Sequence, residues 1–273
     1  MRTLDNLGCL RRGIHEKGRK VSILVWLVLA GMLAQGCGNT AGEPVAPSSR
    51  PVAEDIQEAD RLYGERADLM KVRQGVIALR QALAAHPSNY DVAWRLAKFN
   101  YYLGAHSSES KEQEKAFRDG TEAGKVAIKL SPDKPDGHFW LGANYGGNAE
   151  ISMLAGLAEI EDIKREMEAV IKMDEGYESG SAYMALGQMY LKAPRMLGGD
   201  TGKAIDYLEK GLKFGPNNGL LRLRLAEAYA EARRNDDARK QIETLLAMQP
   251  SPGYEPEHSD AVTQARKLQE KIK

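Results

Sequence analysis

The chain has 273 residues, with 38 Lys and Arg against 38 Asp and Glu, so its formal net charge is zero. Charged residues make up 28% and hydrophobic ones 42%, the make-up of a soluble chain with a core. No basic excess is present to follow a phosphate backbone, which argues against a nucleic-acid partner. Cys9 and Cys37 are the only cysteines, so neither a disulfide framework nor a Cys/His metal cluster is available.

The N-terminus reads as an export signal and not as fold. A basic stretch ends at Arg19-Lys20, and Val21 to Leu33 is an apolar run. That run is short of the ~20 residues a membrane-spanning helix needs. Ala34-Gln35-Gly36 then leads into Cys37. Small residues ahead of a lone cysteine resemble a bacterial lipobox, where the thiol takes a diacylglycerol and a peptidase cuts in front of it. Residues 1–36 are expected to be a lipoprotein signal peptide, Cys37 the lipidation site, and 37–52 a lipid-anchored flexible tether rich in Gly, Pro and Ser. Ala34 and Gln35 depart from the commonest lipobox, so a plain cleaved signal or an uncleaved anchor remains open. Residues 1–36 hold six bases and two acids, so the remainder carries 32 bases against 36 acids. Gly38 and Asn39 lack the Asp of inner-membrane retention, so the expected location is the bacterial cell envelope, at the outer membrane facing the periplasm.

Residues 53–273 carry a helical repeat. Asn218 to Pro250 fits two amphipathic helices joined by Arg233-Arg234-Asn235-Asp236. Leu225, Ala226, Tyr229, Ala238, Ile242, Leu245 and Pro250 match the spacing of a tetratricopeptide repeat. Small residues let the helices approach, large ones fill the gaps, and the proline stops the second helix. The pattern recurs at Leu186-Gly187-Tyr190 with Ala204, Leu208, Gly211 and Pro216. It recurs again at Leu141-Gly142-Tyr145 with Met167 and Val170, and at Trp94, Ala97, Lys98 and Tyr101 through Ala127 to Pro132. Gly75, Leu79, Ala82 and Pro87 form one further second helix. The predicted fold is therefore all-α, a tetratricopeptide-repeat helical-hairpin superhelix of about five hairpins. A C-terminal capping helix over 259–273 follows the loop 251–257.

Three hairpins exceed the repeat period, around AHSSESKEQEKA, GGNAEISMLAGLAEIE and KAPRMLGGD. Such insertions tend to decorate the binding face. Gly104 is expected to cap its helix, and Ser110 with Gln113 fits a capping box for the next. Gly146-Gly147 interrupts a helical pattern, and an unwound turn there would present backbone N–H groups together with Asn144, Gly147 and Glu150. Asp200 is expected to N-cap the helix after Gly198-Gly199.

The runs HFWLGANYGGNAE and KAPRMLGGDTGKAIDYLEKGL resemble the T-component of TRAP transporter systems. The motif pieces are Trp140 to Asn144, Gly146 to Glu150 and Ala193 to Asp200. The resemblance implies a lipid-anchored periplasmic protein that binds a TRAP-type solute-binding protein and passes on a small organic ligand. The alternative is a general envelope scaffold for outer-membrane or pilus assembly. Residues flanking the packing positions of the first helices are expected to line the concave groove. These are Arg95, Phe99 and Tyr102, then Phe139 and Ala143, Met184 and Gln188, and Leu223 and Glu227. Exposed aromatics and Met would suit a peptide or apolar ligand. Catalysis has little support: the five histidines are scattered and no nucleophile elbow is present, so no cofactor, metal site or catalytic residue is assigned.

Overall fold

Among the described residues, eleven α-helices and one 3-10 turn follow each other with short connections. The computed structural model describes residues 45–272, so residues 1–36, Cys37 and the first part of the expected tether lie outside the described residues. Helices α1 (Val52–Gly64) and α2 (Leu69–Ala85) form the first hairpin, α3 (Tyr90–His106) and α4 (Ser110–Leu130) the second, and α5 (Pro135–Ile151) and α6 (Met153–Met173) the third. Helices α7 (Tyr177–Lys192) and α8 (Thr201–Phe214) form the fourth, α9 (Gly219–Glu231) and α10 (Asn235–Ala247) the fifth, and α11 (Glu255–Lys271) caps the array. The all-α tetratricopeptide-type superhelix of five hairpins plus a cap is the observed architecture. Each even-numbered helix packs on the odd-numbered helices before and after it, and the odd-numbered helices also pack on one another in sequence. The odd helices therefore form the inner layer.

Chain chemistry sets the helix starts. Asp68, Asn89, Asp200 and Asn218 each accept a backbone N–H in the first turn of the helix they precede. Each cap contributes on the order of 1 kcal/mol. At the described end of the expected tether, the Ser48 N–H donates to the Gln81 carbonyl and Arg50 pairs with buried Asp55 at 2.6 Å. Residues 48–50 are thus held against the first hairpin.

Several local expectations need correction. Gly104 does not end α3: the helix runs to His106, and Gly104 is buried because the Phe117 ring packs on its Cα. Ser110 is the first residue of α4 and not its cap. The Gln113 amide instead donates to the Ser107 carbonyl, and the Ser107 hydroxyl accepts from the Glu109 N–H. The extra residues of the second and third hairpins lengthen helices and do not form loops: α4 and α6 each reach 21 residues. Gly146 and Gly147 lie inside α5, with no unwound turn. Only the fourth hairpin carries its surplus as a loop, the 3-10 turn Arg195–Leu197 followed by Gly198 at φ 93°. Helix α11 begins at Glu255, with Pro256 in its first turn, four residues before the expected start.

Candidate functional site

The inner layer separates the expected groove residues into two groups. Phe99, Tyr102, Phe139, Asn144, Gly147 and Leu223 are buried and do not line an open groove. Phe99 turns toward α2: a Cβ on Gly75 would lie 2.0 Å from its ring. Phe139 sits edge-on to Trp140 at 4.9 Å and beside Tyr177 at 5.2 Å. Leu223 belongs to the core shared by α8 to α11. The Asn144 amide donates to the carbonyls of Ala97 (3.0 Å) and Trp140 (2.7 Å), so it fastens α5 to α3. Gly147 is covered by the Phe117 ring, which leaves no room for a Cβ. Phe99 and Phe139 are core because α3 and α5 are lengthened and bury a wider stripe than a standard repeat, whereas Leu223 lies in a helix of standard length and is buried by packing among α8 to α11.

The second group does reach the inner surface. Arg95 grips Asp60 of α1 through two hydrogen bonds (2.8 and 3.0 Å) and stacks its guanidinium over Trp94. Glu150 is exposed and accepts from Gln188 (2.6 Å) and Lys192 (2.8 Å), which joins α5 to α7. Ala143 and Met184 are half-buried against the core, and Glu227 pairs with Arg224 at 2.9 Å. Tyr145, Tyr190 and Tyr229, expected to be structural, are buried.

The most concentrated chemistry on this face lies around Lys98 and Arg66. The Lys98 ammonium lies over the rings of Tyr63 (4.2 Å) and Trp140 (5.3 Å). Burial pushes its pKa below the ordinary lysine value, because the low-dielectric surroundings penalise the charged form. Arg66 is 4% exposed and stacks over Tyr63 at 4.7 Å. Burial opposes its charge, but Glu257 more than offsets this and leaves its pKa raised. The Glu257 carboxylate accepts from Arg66 Nε (2.7 Å) and Nη2 (2.6 Å), the two-pronged geometry that a guanidinium favours. Arg66 also donates to the Gly253 carbonyl, and the Tyr254 hydroxyl donates to Glu178 of α7. His106 of α3 lies 3.8 Å from Asp260. Burial raises the Tyr102 hydroxyl to about 12 in this setting. The start of α11 thus bridges the first hairpin, α3 and α7.

Sequence reasoning missed Arg66, Glu178, Tyr254 and Glu257 and gave Lys98 only a packing role. Arg66 sits in a turn and Glu257 in what read as a loop, and no periodicity links positions 191 residues apart. Glu178 and Ser179 precede Gly180 in three consecutive positive-φ residues. Gly180 permits this turn, since a Cβ there would meet the Gly211 carbonyl oxygen at 2.4 Å.

On another face, Ile160, Lys164, Tyr190, Leu197 and Lys203 line a cleft of about 130 Å³. That is small beside the ~300–1,000 Å³ of a typical ligand pocket. No group of three or more His, Cys, Asp or Glu that could hold a metal occurs among the described residues.

The paired helices, their inner layer and the small-residue contacts define a tetratricopeptide-type repeat protein, a class that binds other proteins. Residues 196–264 match a tetratricopeptide repeat family. Residues 55–191, half of the chain, match the family described as regulator of microtubule dynamics protein 1-3, and the chain belongs to that family. Similar solved structures include TTC0263, a thermophilic TPR protein of Thermus thermophilus, at 18% identity and a TM-score of 0.61, covering 80% of this chain and 98% of that one. Pseudomonas aeruginosa pilF is similar at 18% identity and a TM-score of 0.50, covering 82% and 90%. Both likenesses concern the fold. No curated protein gives a significant match.

Proposed function

We propose that the chain is a lipid-anchored scaffold of the bacterial envelope whose inner face holds another protein, with a TRAP-type solute-binding protein as the partner class. The observation that carries the reading is the inner layer itself. It presents charged and half-buried groups from α3, α5, α7 and α9 (Arg95, Glu150, Gln188, Met184 and Glu227) on one surface. Partners of helical repeats are read along such a surface by groups spaced one hairpin apart. The motif pieces at Trp140 to Asn144 and Ala193 to Asp200 support the TRAP-accessory reading. The export-signal pattern ending at Cys37 supports an envelope location.

The family description supplies a second reading, an interaction with a cytoskeletal polymer. The basic and apolar run before Cys37 argues for the envelope instead.

The test is cross-linking in intact envelopes, followed by capture of the full-length chain and identification of what is bound. Recovery of a solute-binding protein, lost in the Met184→Glu/Glu227→Lys double variant while its helical circular dichroism is retained, is the expected result. Recovery of only outer-membrane or pilus assembly proteins would overturn the TRAP reading and leave a general scaffold.

A further inference from the structure

The inner face is already occupied in part by the chain's own C-terminal segment. Gly253 to Asp260 lies across the mouth between the first hairpin and α7. It is held there by polar side-chain contacts (Arg66 to Glu257 and to the Gly253 carbonyl, Tyr254 to Glu178, and His106 to Asp260) and by the His258 ring packed on Gly219 of α9. Its own residues are exposed or half-buried, unlike the buried helices of the hairpins. The groups it covers are the reverse. Arg66 is buried, and Tyr102 is 5% exposed with its ring stacked on His106 at 3.9 Å.

Lys98 adds an independent observation. Its ammonium faces ring carbons of Tyr63 and Trp140, and no carboxylate or carbonyl oxygen is within hydrogen-bond reach of it among the described residues. Cation–π contact offsets part of the lost hydration but leaves the N–H donors unused. Arg66 and Lys98 both approach the Tyr63 ring, at 4.7 and 4.2 Å, so they flank one spot. One of the two cations there is hydrogen-bonded to a carboxylate, and the other feels Glu178 and Asp60 only at longer range.

We propose that this spot is a carboxylate site for an acidic segment of a partner protein, and that Gly253–Asp260 is a latch that fills it until the partner arrives. The proposal rests on the inner face being the partner surface. Glu257 shows which chemistry the site takes. An incoming acidic side chain replaces Glu257 on Arg66 while a neighbouring carboxylate reaches Lys98, which the latch leaves without a hydrogen-bonded carboxylate. The partner thereby gains a charge-assisted contact at Lys98 that the latch does not make, and gives up the latch's contacts to Glu178 and His106. The latch lowers apparent affinity by the fraction of time it is closed, and so sets a threshold for partner binding.

The experiment uses the full chain and a fluorescein-labelled peptide spanning Ser251–Val262, titrated by anisotropy. A latch closed about nine-tenths of the time predicts that Glu257→Ala binds this peptide about tenfold more tightly than wild type. That gain should survive in Lys98→Met, because the latch sequence does not engage Lys98, whereas a peptide carrying His258→Glu, with a second carboxylate beside Glu257, should bind more tightly still and lose that increment in Lys98→Met; a peptide carrying Glu257→Gln should not bind. Amide exchange of residues 251–260 should quicken in Glu257→Ala while α3 to α10 keep their protection. If losing the Arg66 partner loosens the first hairpin, Tyr254→Phe/Asp260→Ala frees the segment without touching that pair and should raise peptide affinity in the same direction. Equal peptide affinity for wild type and both freed variants, or unchanged exchange of 251–260, overturns the latch. Envelope capture separates the two readings. Partner loss in Met184→Glu/Glu227→Lys with no gain in Glu257→Ala overturns the latch alone, and capture unchanged in both overturns the inner-face reading beneath it.

Discussion

The second and third hairpins and the fifth hairpin solve the same packing problem with different residues. In the fifth, α9 and α10 are 13 residues each, and Ala226, Ala228 and Ala238 bring them together under Leu225, Ile242 and Leu245. In the second and third, the helices have 17 and 21 residues, and glycines take the alanine role. Phe117 of α4 lies on Gly104 of α3 and on Gly147 of α5, Asn144 of α5 lies on Gly120 of α4, and Met167 of α6 lies on Gly142 of α5. The added turns extend the helix contacts, and each extension is locked by a large side chain seated on a bare Cα. Glycine inside these helices is a seat for a side chain of a neighbouring helix, and the helix propensity it forfeits is recovered in packing.

The comparison can be broken at its seats. Phe117→Ala should have the largest effect, about 3–5 kcal/mol, because it empties the space between two glycines on two neighbouring helices. Ala238→Gly in the fifth hairpin should cost only about 1–2 kcal/mol, the helix-propensity difference plus one buried methyl. Denaturant melts of the two variants would check this, and equal losses would show that the interlock is not the stronger device. Next come two adjacent glycines with opposite predicted signs. A Cβ on Gly147 would meet the Phe117 ring at 2.1 Å, whereas a Cβ on Gly146 meets nothing within 4 Å. Gly147→Ala should destabilise by about 1–3 kcal/mol through overpacking. Gly146→Ala should stabilise by about 0.5–1 kcal/mol, since it only removes glycine's freedom in a helix interior. A destabilised Gly146→Ala would mean that the pair works as a flexible joint and not as one seat beside one spacer.

The same contrast explains what could be read from the sequence. The fifth hairpin follows the standard spacing, so Tyr229, Ala238, Ile242 and Leu245 fell where the pattern put them. The Asp200 cap was also legible, because a short polar residue ahead of a helix has one common use. Gly104 and Gly147 were misread as chain breaks, because the rings that sit on them come from other helices and no local rule connects them. Phe99 and Phe139 were assigned to the groove on a standard helix width, and the longer helices turned them into core. Lys98 was visible in the repeat pattern, but its unshared charge was not. Arg66 and Glu257 depend on the array curving enough to bring its ends together, and the curvature is a sum of small rotations between hairpins that no single residue encodes.

The smallest effect concerns a histidine–glutamate pair inside the long third hairpin. His138 of α5 pairs with Glu166 of α6 at 2.6 Å, and its other ring nitrogen donates to the Pro132 carbonyl at 3.0 Å. The Glu166 hydrogen bond raises the His138 pKa above its ordinary value, with Arg165 nearby opposing. Burial tends to raise Glu166, but hydrogen bonds from His138 and Arg165 outweigh it and lower its pKa. The histidine's contribution is therefore fully present below its unfolded value of about 6.5 and is lost as pH rises through the folded value. The carboxylate's contribution is present above the unfolded glutamate value of about 4.3 and is lost as pH falls through the lowered one. Between those two unfolded values the pair contributes most. Melting temperature measured from pH 5 to 8.5 should decline through the upper limb in wild type, and His138→Gln should flatten that limb. The fifth hairpin has no equivalent pair, so exchange of the α9 and α10 amides, corrected for intrinsic rate, should show no such pH-dependent loss of protection. If α5 and α6 lose protection no faster than α9 and α10 over that range, the pair adds nothing to the third hairpin, and its extra length is held by the glycine seats alone.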